Sequence, residues 1–136
     1  MTAVVPSPFV MKNAVLAIAT DTYEKGVTSA VFTPSASVIS IAAVAPGATY
    51  TDTPNATWTL DLTILQDWAD PDSLVRHLFD AEGTTETWVL TPVAGGPTVT
   101  AEVTITPGQI GGDASAFATA TVSLGVSGKP AIDDTP

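Results

Sequence analysis

Residues 70–83 are the part of this sequence in which apolar residues recur at helical spacing. The apolar side chains fall on one narrow stripe made of Leu74, Val75, Leu78 and Phe79. Asp70 is a typical N-cap, Pro71 suits the first helical turn, and Gly83 suits the left-handed residue that ends a helix. The sequence therefore predicts one α-helix, about residues 71–82. Because a helix of about twelve residues is marginal alone in water, its stripe must cover a sheet.

The rest of the chain has the composition of strands, because Thr, Ala and Val dominate it. The clearest alternation lies in residues 57–64, where apolar side chains point one way and Thr and Asp side chains the other. Further strands are predicted at 9–20, 27–33, 37–44, 87–93, 98–106 and 114–124. We expect a mainly β fold, an antiparallel β-sandwich or curled barrel of about seven strands with one flanking α-helix.

The length of 136 residues fits one domain, which we place at residues 9–124. Residues 1–8 read either as an extended arm or as a frayed terminus, and residues 125–136 as a polar tail that is flexible in the free subunit. Residues 45–55 contain two prolines and a glycine without apolar alternation, so we predict a long loop there. That loop carries Tyr50, a residue type enriched at interfaces, and is either an interface or a mobile loop. Phe117 stands among polar residues and is a further candidate contact residue.

The charge distribution excludes some classes of function. The chain has a formal net charge of −10 and four basic residues, which give no footprint for a phosphate backbone. It has no cysteine, so a disulfide framework and a thiolate metal site are excluded. The N-terminal residues do not resemble a signal peptide, and no apolar run approaches eighteen residues. We therefore expect no membrane anchor and synthesis in the cytoplasm.

No group of residues predicts catalysis, cofactor binding or a metal site. His77 is the single histidine and has no partner placed by the sequence for a triad or a zinc site. The acidic residues of 67–72 lack the calcium-loop pattern, and helix capping already explains two of them. The paired glycines at 95–96 and 111–112 lack the context of a phosphate-binding loop. We expect Trp58 and Trp88 to pack in the core, and the role of Trp68 stays open.

The order of these segments resembles that of the major tail tube proteins of long-tailed bacteriophages. The resemblance covers roughly residues 9–128 and lies in layout more than in one diagnostic motif. It comprises a strand at 13–20, an acidic turn at 21–24, a strand at 27–33 followed by Pro34, the long loop, the strand at 58–64, the helix beginning Pro71-Asp72-Ser73-Leu74, and closing segments at 105–108, at Phe117 and at 122–128.

The resemblance implies subunits that form rings, typically six-fold, which stack into a tube. Neighbouring sheets would join into a barrel around the channel, and the long loop and the terminal arms would reach between rings. The implied inter-subunit residues of the loop are Ala45, Pro46, Tyr50, Thr51, Asp52, Pro54 and Asn55. The polar residues Thr100, Glu102 and Thr104 are possible lumen linings, although an ordinary solvent-facing strand surface would look the same.

The resemblance also implies a function. We expect a non-enzymatic structural protein of the virion, a tail tube subunit made in the host bacterium, whose partners are further copies of itself and tail proteins such as the tape measure and the tail tip or terminator. A six-membered ring would carry about sixty formal negative charges, which would let DNA pass without binding. The alternative is a β-sandwich binding module, such as a capsid decoration or adhesin-like protein.

Overall fold

The structure, a computed structural model, describes residues 2–18 and 21–134, except for the side chain of Glu24. Parts of three predicted segments, namely Met1, residues 19–20 and residues 135–136, lie outside these ranges. A single 3₁₀ turn, Glu24–Gly26, precedes the third strand. The regular elements of the described residues are β1 (Val15–Ile18), β2 (Asp21–Thr22), β3 (Val27–Ser35), β4 (Ile39–Ala42), β5 (Thr49–Asp52), β6 (Thr57–Leu65), α1 (Leu74–Asp80), β7 (Thr85–Thr91), β8 (Thr98–Thr104) and β9 (Thr119–Asp133).

Seven strands form one antiparallel sheet in the order β2-β1-β7-β8-β9-β6-β3, and β4 and β5 form a separate two-stranded sheet. The predicted fold class, mainly β and antiparallel with one flanking helix, is confirmed for the described residues. The strands at the two ends of the order do not pair with each other, so the large sheet is not a closed barrel. Leu16 and Leu90 nevertheless line the same cleft, about 250 Å³ in volume, as residues 27–31 of β3. The sheet therefore curls until its two ends come close.

The core lies on the concave face of this sheet because every long strand alternates between apolar and polar residues. Leu60, Leu62 and Ile64 of β6 are fully buried, and the intervening residues are not. Their neighbours across the ladder, Leu124 and Val122, are buried as well. The helix covers the same face with its apolar residues Leu74, Val75 and Leu78. Burying such side chains contributes about 1.5–3 kcal/mol each, which stabilises a helix too short to form alone.

The helix is shorter than predicted, and its N-cap is Ser73 instead of Asp70. The Ser73 hydroxyl accepts a hydrogen bond from the amide of Arg76, and its carbonyl accepts the amide of His77 at 3.0 Å. Asp70 instead accepts the amide of Asp72 at 2.9 Å, in a turn that precedes the helix. The amide of Asp72, in the predicted first turn, is therefore capped by a side chain before helical geometry begins.

The end of the helix agrees better with the prediction. Gly83 has a φ of +85°, the left-handed conformation for which a glycine is preferred. Its amide donates to the carbonyl of Ile105 at 3.0 Å, which ties the end of the helix to the β8 side of the sheet. Phe79, expected on the apolar stripe, is about half exposed and packs edge-on against Trp68. The stripe that enters the core is thus narrower than predicted.

Two strand predictions are wrong at their N-terminal parts. Residues 9–14 form no strand, and the regular hydrogen bonding starts at Val15. Residues 114–118 form a turn and an irregular segment before β9. In both cases the residues in question find no neighbouring strand within the described part of the chain, since β1 pairs β7 only from Val15 and β9 pairs β6 only from Thr119.

The prediction of a flexible tail at 125–136 is also wrong over most of its length. β9 continues to Asp133, and its second half pairs with β8, from Thr104↔Gly125 to Thr98↔Asp133. The ladder shifts register between Thr100 and Glu102, where residues 128–130 bulge out opposite a single residue of β8. Gly128 supplies the positive φ of the bulge, and the buried Pro130 lies in it. The bulge thus accommodates a glycine and a proline, which are otherwise unfavourable within a strand.

The three tryptophans have different environments. Trp88 is fully buried in the core, as predicted, and its indole N–H is without a hydrogen-bond partner. Trp58 is only half-buried and is not part of the core cluster, so the prediction for it is wrong. Trp68 is half-buried against the core, and its indole N–H donates to the side-chain oxygen of Gln66 at 2.9 Å.

Candidate assembly surfaces

The segment predicted as a long loop, residues 45–55, comprises the turn and the second strand of a β-hairpin and the start of the connection to β6. β4 and β5 pair in the register Ile39↔Asp52 to Ala42↔Thr49. Between them the amide of Ala48 donates to the carbonyl of Ala45 at 3.2 Å, with Pro46 and Gly47 at the central positions. A proline followed by a glycine with a φ of +78° is the arrangement of a type II turn. The prediction of an irregular loop is therefore wrong for residues 49–52.

The hairpin has one apolar face, and that face is exposed. Residues opposite each other in an antiparallel pair share a face, so Ile39, Ile41 and Tyr50 lie together, and Asp52 lies opposite Ile39 at the end of the same face. Their exposed fractions are 59%, 67% and 66%. The other face is polar, with the hydroxyls of Ser40 and Thr51 hydrogen-bonded at 3.0 Å. An isolated two-stranded hairpin is at best marginally stable in water, so this one has the properties of an element that a partner completes.

The predicted inter-subunit residues occupy three parts of this hairpin. Ala45 and Pro46 are in its turn, Tyr50, Thr51 and Asp52 are in β5, and Pro54 and Asn55 lie in the connection to β6. All seven are exposed. Their place at an exposed tip is compatible with the predicted role, which stays a prediction. The sequence analysis predicted a strand over Ile39 and Ile41 but no contact surface, because β-branched residues are typical of buried and of exposed strands alike.

The N-terminal segment is a second exposed apolar surface. Residues 2–12 form no helix or strand, and Val4, Val5, Phe9 and Val10 are all largely exposed. The segment joins the sheet near the turn between β7 and β8, where the side-chain oxygen of Asn13 accepts the amide of Ala94 at 3.4 Å. The predicted arm thus consists of exposed side chains over its described part, residues 2–8.

The convex face of the large sheet is polar. Thr100, Glu102 and Thr104 lie on it together, as predicted, because Ala101 and Val103 between them point into the core. Asp61 lies on the same face of β6 and accepts hydroxyl hydrogen bonds from Ser123 at 2.7 Å and from Thr33 at 3.0 Å. The face therefore carries hydroxyls and carboxylates. Of the four basic residues, Lys129 belongs to a described strand of this sheet and lies in the bulge of β9, and the other three lie outside the described strands.

A loop between β8 and β9 is held by the side chain of Gln66. Its amide nitrogen donates to the carbonyls of Gly111 at 2.9 Å and Thr119 at 2.7 Å, and its oxygen accepts the amide of Gly111 at 2.9 Å. The backbone amide of Gln66 also donates to the carbonyl of Ala118 at 3.0 Å. We call residues 107–118 the clamped loop. It presents Phe117, 92% exposed, to solvent, as expected for a contact residue.

A polar cluster lies where the helix meets β7. The His77 ring nitrogen Nε2 is 2.9 Å from Oε1 and 3.0 Å from Oε2 of Glu86, and the ring stacks on Tyr23. Burial, with a smaller effect of the carboxylates of Asp21, Glu86 and Asp72, raises the pKa of the Tyr23 phenol. Since the imidazole of His77 contacts both the carboxylate of Glu86 and the ring of Tyr23, this cluster has a structural explanation as the polar contact between helix and sheet.

The acidic residues ahead of the helix are occupied by the backbone. Asp67 accepts the amides of Ala69 and Asp70, and Asp70 accepts that of Asp72. In the ranges 2–18 and 21–134, no set of three or more histidine or carboxylate side chains is arranged to hold a metal ion. The same ranges contain no helix that is long and apolar enough to cross a membrane.

Comparison with solved structures shows which proteins share this fold. No protein-family model matches the sequence, and no curated protein matches it. The structure is similar to a chain of the virion of the native gene transfer agent particle, with a TM-score of 0.68 and 13% identity over 93% of this chain and 99% of that chain. It is also similar to a chain of the tail of the empty gene transfer agent particle, a structure with C6 symmetry, with a TM-score of 0.57 and 16% identity over 82% and 83% of the two chains. This protein therefore shares its fold with subunits of gene transfer agent particles.

Proposed function

We propose that this protein is a non-enzymatic structural subunit of a virion tail, which assembles with copies of itself into stacked rings that form a tube. The likeness in fold to a virion chain and to a chain of a C6-symmetric tail supports this function. The partners would be other copies of the chain and further tail proteins, such as a tape measure and a tail tip or terminator protein. The site of action would be the virion, after synthesis in the host.

The observation that carries the proposal is the hairpin of β4 and β5. Its apolar face exposes Ile39, Ile41 and Tyr50 on an element that lies outside the core cluster. An exposed apolar face of this kind marks an interaction site. Aromatic residues such as Tyr50 are enriched where two proteins meet. A subunit of a homo-oligomer requires such a surface.

The convex face of the sheet is the proposed lining of the channel, with Thr100, Glu102 and Thr104 among its residues. Its hydroxyls are hydrogen-bonded to carboxylates, as in the contact of Thr33 and Ser123 with Asp61. The described strands of this sheet contain one basic residue, Lys129 in the β9 bulge, so the sheet offers little positive charge to a phosphate backbone, and with a subunit charge of −10 it repels DNA. Passing DNA would therefore not be held in the channel.

Assembly of the purified protein tests the proposal. Electron microscopy and sedimentation velocity over a concentration range should show rings or tubes for the unmodified chain. The double variant Ile41→Ser, Tyr50→Ser should stay monomeric, because it removes most of the apolar contact area of the hairpin while leaving its backbone pairing intact. Thr51→Ala, on the polar face of the same hairpin, is the matched control and should assemble.

Circular dichroism of the double variant should equal that of the unmodified chain, which separates lost assembly from lost folding. Persistent monomers of the unmodified protein, also when a tape measure and a tail tip protein are supplied, would contradict the proposed function. Assembly of the double variant like that of the unmodified chain would show that the hairpin is not the contact surface.

A further inference from the structure

Two apolar patches lie at opposite ends of β6. The hairpin patch, formed by Ile39, Ile41 and Tyr50, belongs to the hairpin that leads into β6 at Thr57. The clamped loop packs beside Gln66, which directly follows the other end of the strand. β6 has nine residues, and a strand rises about 3.3 Å per residue, so its two ends are about 26 Å apart. The two patches therefore lie near opposite ends of this strand.

The clamped loop is suited to receive a partner because its shape is fixed in advance. The Gln66 side chain bonds the backbone at Gly111 within the loop and at Thr119 directly after it, so it holds the middle of the loop to the start of β9. A Cβ at Gly112 would come within 3.3 Å of Ala118, which shows how closely the two halves approach. The loop holds Phe117 and Ile110 outward, 92% and 67% exposed. A contact on a preformed loop avoids the cost of ordering it on binding.

Carboxylates are few in the two segments that carry these patches, as they are in residues 1–20. Residues 36–56 include one carboxylate, Asp52, and the clamped loop includes one, Asp113, out of fourteen in the chain. Neither segment contains a basic residue. Copies with a charge of −10 repel each other, so a contact between them is favoured where carboxylates are few and apolar area is large. Both patches meet these two conditions.

We propose that the hairpin patch of one copy docks on the clamped loop of the next copy along the stack, with Ile41 and Tyr50 against Phe117. This inference rests on the proposed function. The contact is heterologous, since it joins two different surfaces, and a heterologous contact leaves one free patch at each end of a pair and so propagates. A hairpin-to-hairpin contact would instead close as a dimer, and it would leave Phe117 exposed.

Disulfide trapping tests this contact, and the chain suits it because it has no cysteine of its own. The double variant Ile41→Cys, Phe117→Cys is assembled, oxidised mildly and analysed on a non-reducing denaturing gel. Each copy should link to one copy on either side, so covalent multimers should extend beyond the dimer. A disulfide forms only when the two Cα atoms come within about 7 Å, so the result reports this contact and not mere proximity.

Three samples serve as controls. Each single variant should remain monomeric on the gel, and an equal mixture of the two single variants should give covalent dimers. The pair Ile41→Cys, Thr63→Cys should not link, because Thr63 lies near the same end of β6 as the clamped loop but on the polar face. If Phe117→Cys prevents assembly while Thr63→Cys does not, Phe117 is needed for the contact. The pair Tyr50→Cys, Ile110→Cys then traps it with the aromatic ring in place.

The outcomes distinguish this inference from the proposed function. Tubes that form but link through neither pair would overturn the docking of the hairpin on the clamped loop and leave the tube function standing. Covalent dimers from Ile41→Cys alone would show an isologous hairpin contact and would also overturn the inference. An unmodified chain that never assembles would overturn the proposed function itself.

Discussion

The concave face of the sheet and the β4–β5 hairpin are built from the same kind of sequence but have opposite environments. Ile64 is fully buried under the helix, whereas Ile41 is 67% exposed, and both belong to antiparallel pairs of β-branched strands. The difference is the partner, since the core face has α1 to cover it and the hairpin has nothing from its own chain in the described residues. An apolar pattern thus shows which residues require burial and does not show which chain buries them.

A large effect on stability should come from the residue at the centre of the helix–sheet contact. Leu78→Ala removes a fully buried side chain of α1 and leaves a cavity against the sheet, so the free energy of unfolding should fall by about 2–5 kcal/mol. Denaturant unfolding measures it. Phe79→Ala is the matched change on the next residue, which is half exposed, and should cost about 1 kcal/mol or less. Equal losses at both positions would contradict the assignment of the helix face.

A smaller effect on the free energy of unfolding should distinguish the two candidate N-cap residues, Ser73 and Asp70. Ser73→Ala removes the side chain that accepts the amide of Arg76, and it should lower the free energy of unfolding by about 1 kcal/mol. Asp70→Ala removes a turn hydrogen bond outside the helix and should cost less. Thermal unfolding of the two variants side by side decides between them, and a greater loss for Asp70→Ala would restore the longer helix predicted from the sequence.

The helix shows which structural features could be predicted from the sequence and which could not. Its existence and its buried residues followed from spacing, because Leu74, Val75 and Leu78 repeat at helical intervals and nothing else in the chain does. Its start did not follow, since Asp67, Asp70 and Ser73 are all good capping residues. Asp67 and Asp70 cap successive turns, and docking against the sheet selects the residue at which the helix begins.

The hairpin turn and the last strand could be predicted from the sequence only in part. The run Ala45-Pro46-Gly47-Ala48 between two possible strands is a type II turn signal, and it would have indicated a hairpin. The second half of β9 gave no such signal, because Gly125, Gly128 and Pro130 are poor strand residues. Pairing with β8 over Thr98–Thr104 outweighs this local preference, and no local pattern can report a tertiary contact of that kind.

For the candidate surfaces, too, a local pattern predicted which residues share a face but not what that face contacts. Alternation alone placed Thr100, Glu102 and Thr104 on one face. It could not say what that face meets, because a channel and bulk solvent both favour polar side chains. The hydrogen bonds of Gln66 that fix the clamped loop join residues more than forty positions apart, so the sequence offered no sign of them.

The substitution with the smallest expected effect on the stability of the monomer gives the most direct comparison of the hairpin with the core. Ile41→Ser and Ile64→Ser make the same chemical change in the hairpin and in the core. Below the concentration at which the protein assembles, Ile41→Ser should change the free energy of unfolding by no more than about 0.5 kcal/mol, because its side chain is already in water. Ile64→Ser should cost about 3 kcal/mol or more, since it leaves a cavity and a buried hydroxyl.

Raising the protein concentration should then stabilise the unmodified chain and not the Ile41→Ser chain, because only a surface buried between copies links stability to concentration. A loss at Ile41 that is large and independent of concentration would mean that the hairpin is covered by its own chain, and the two regions would no longer differ.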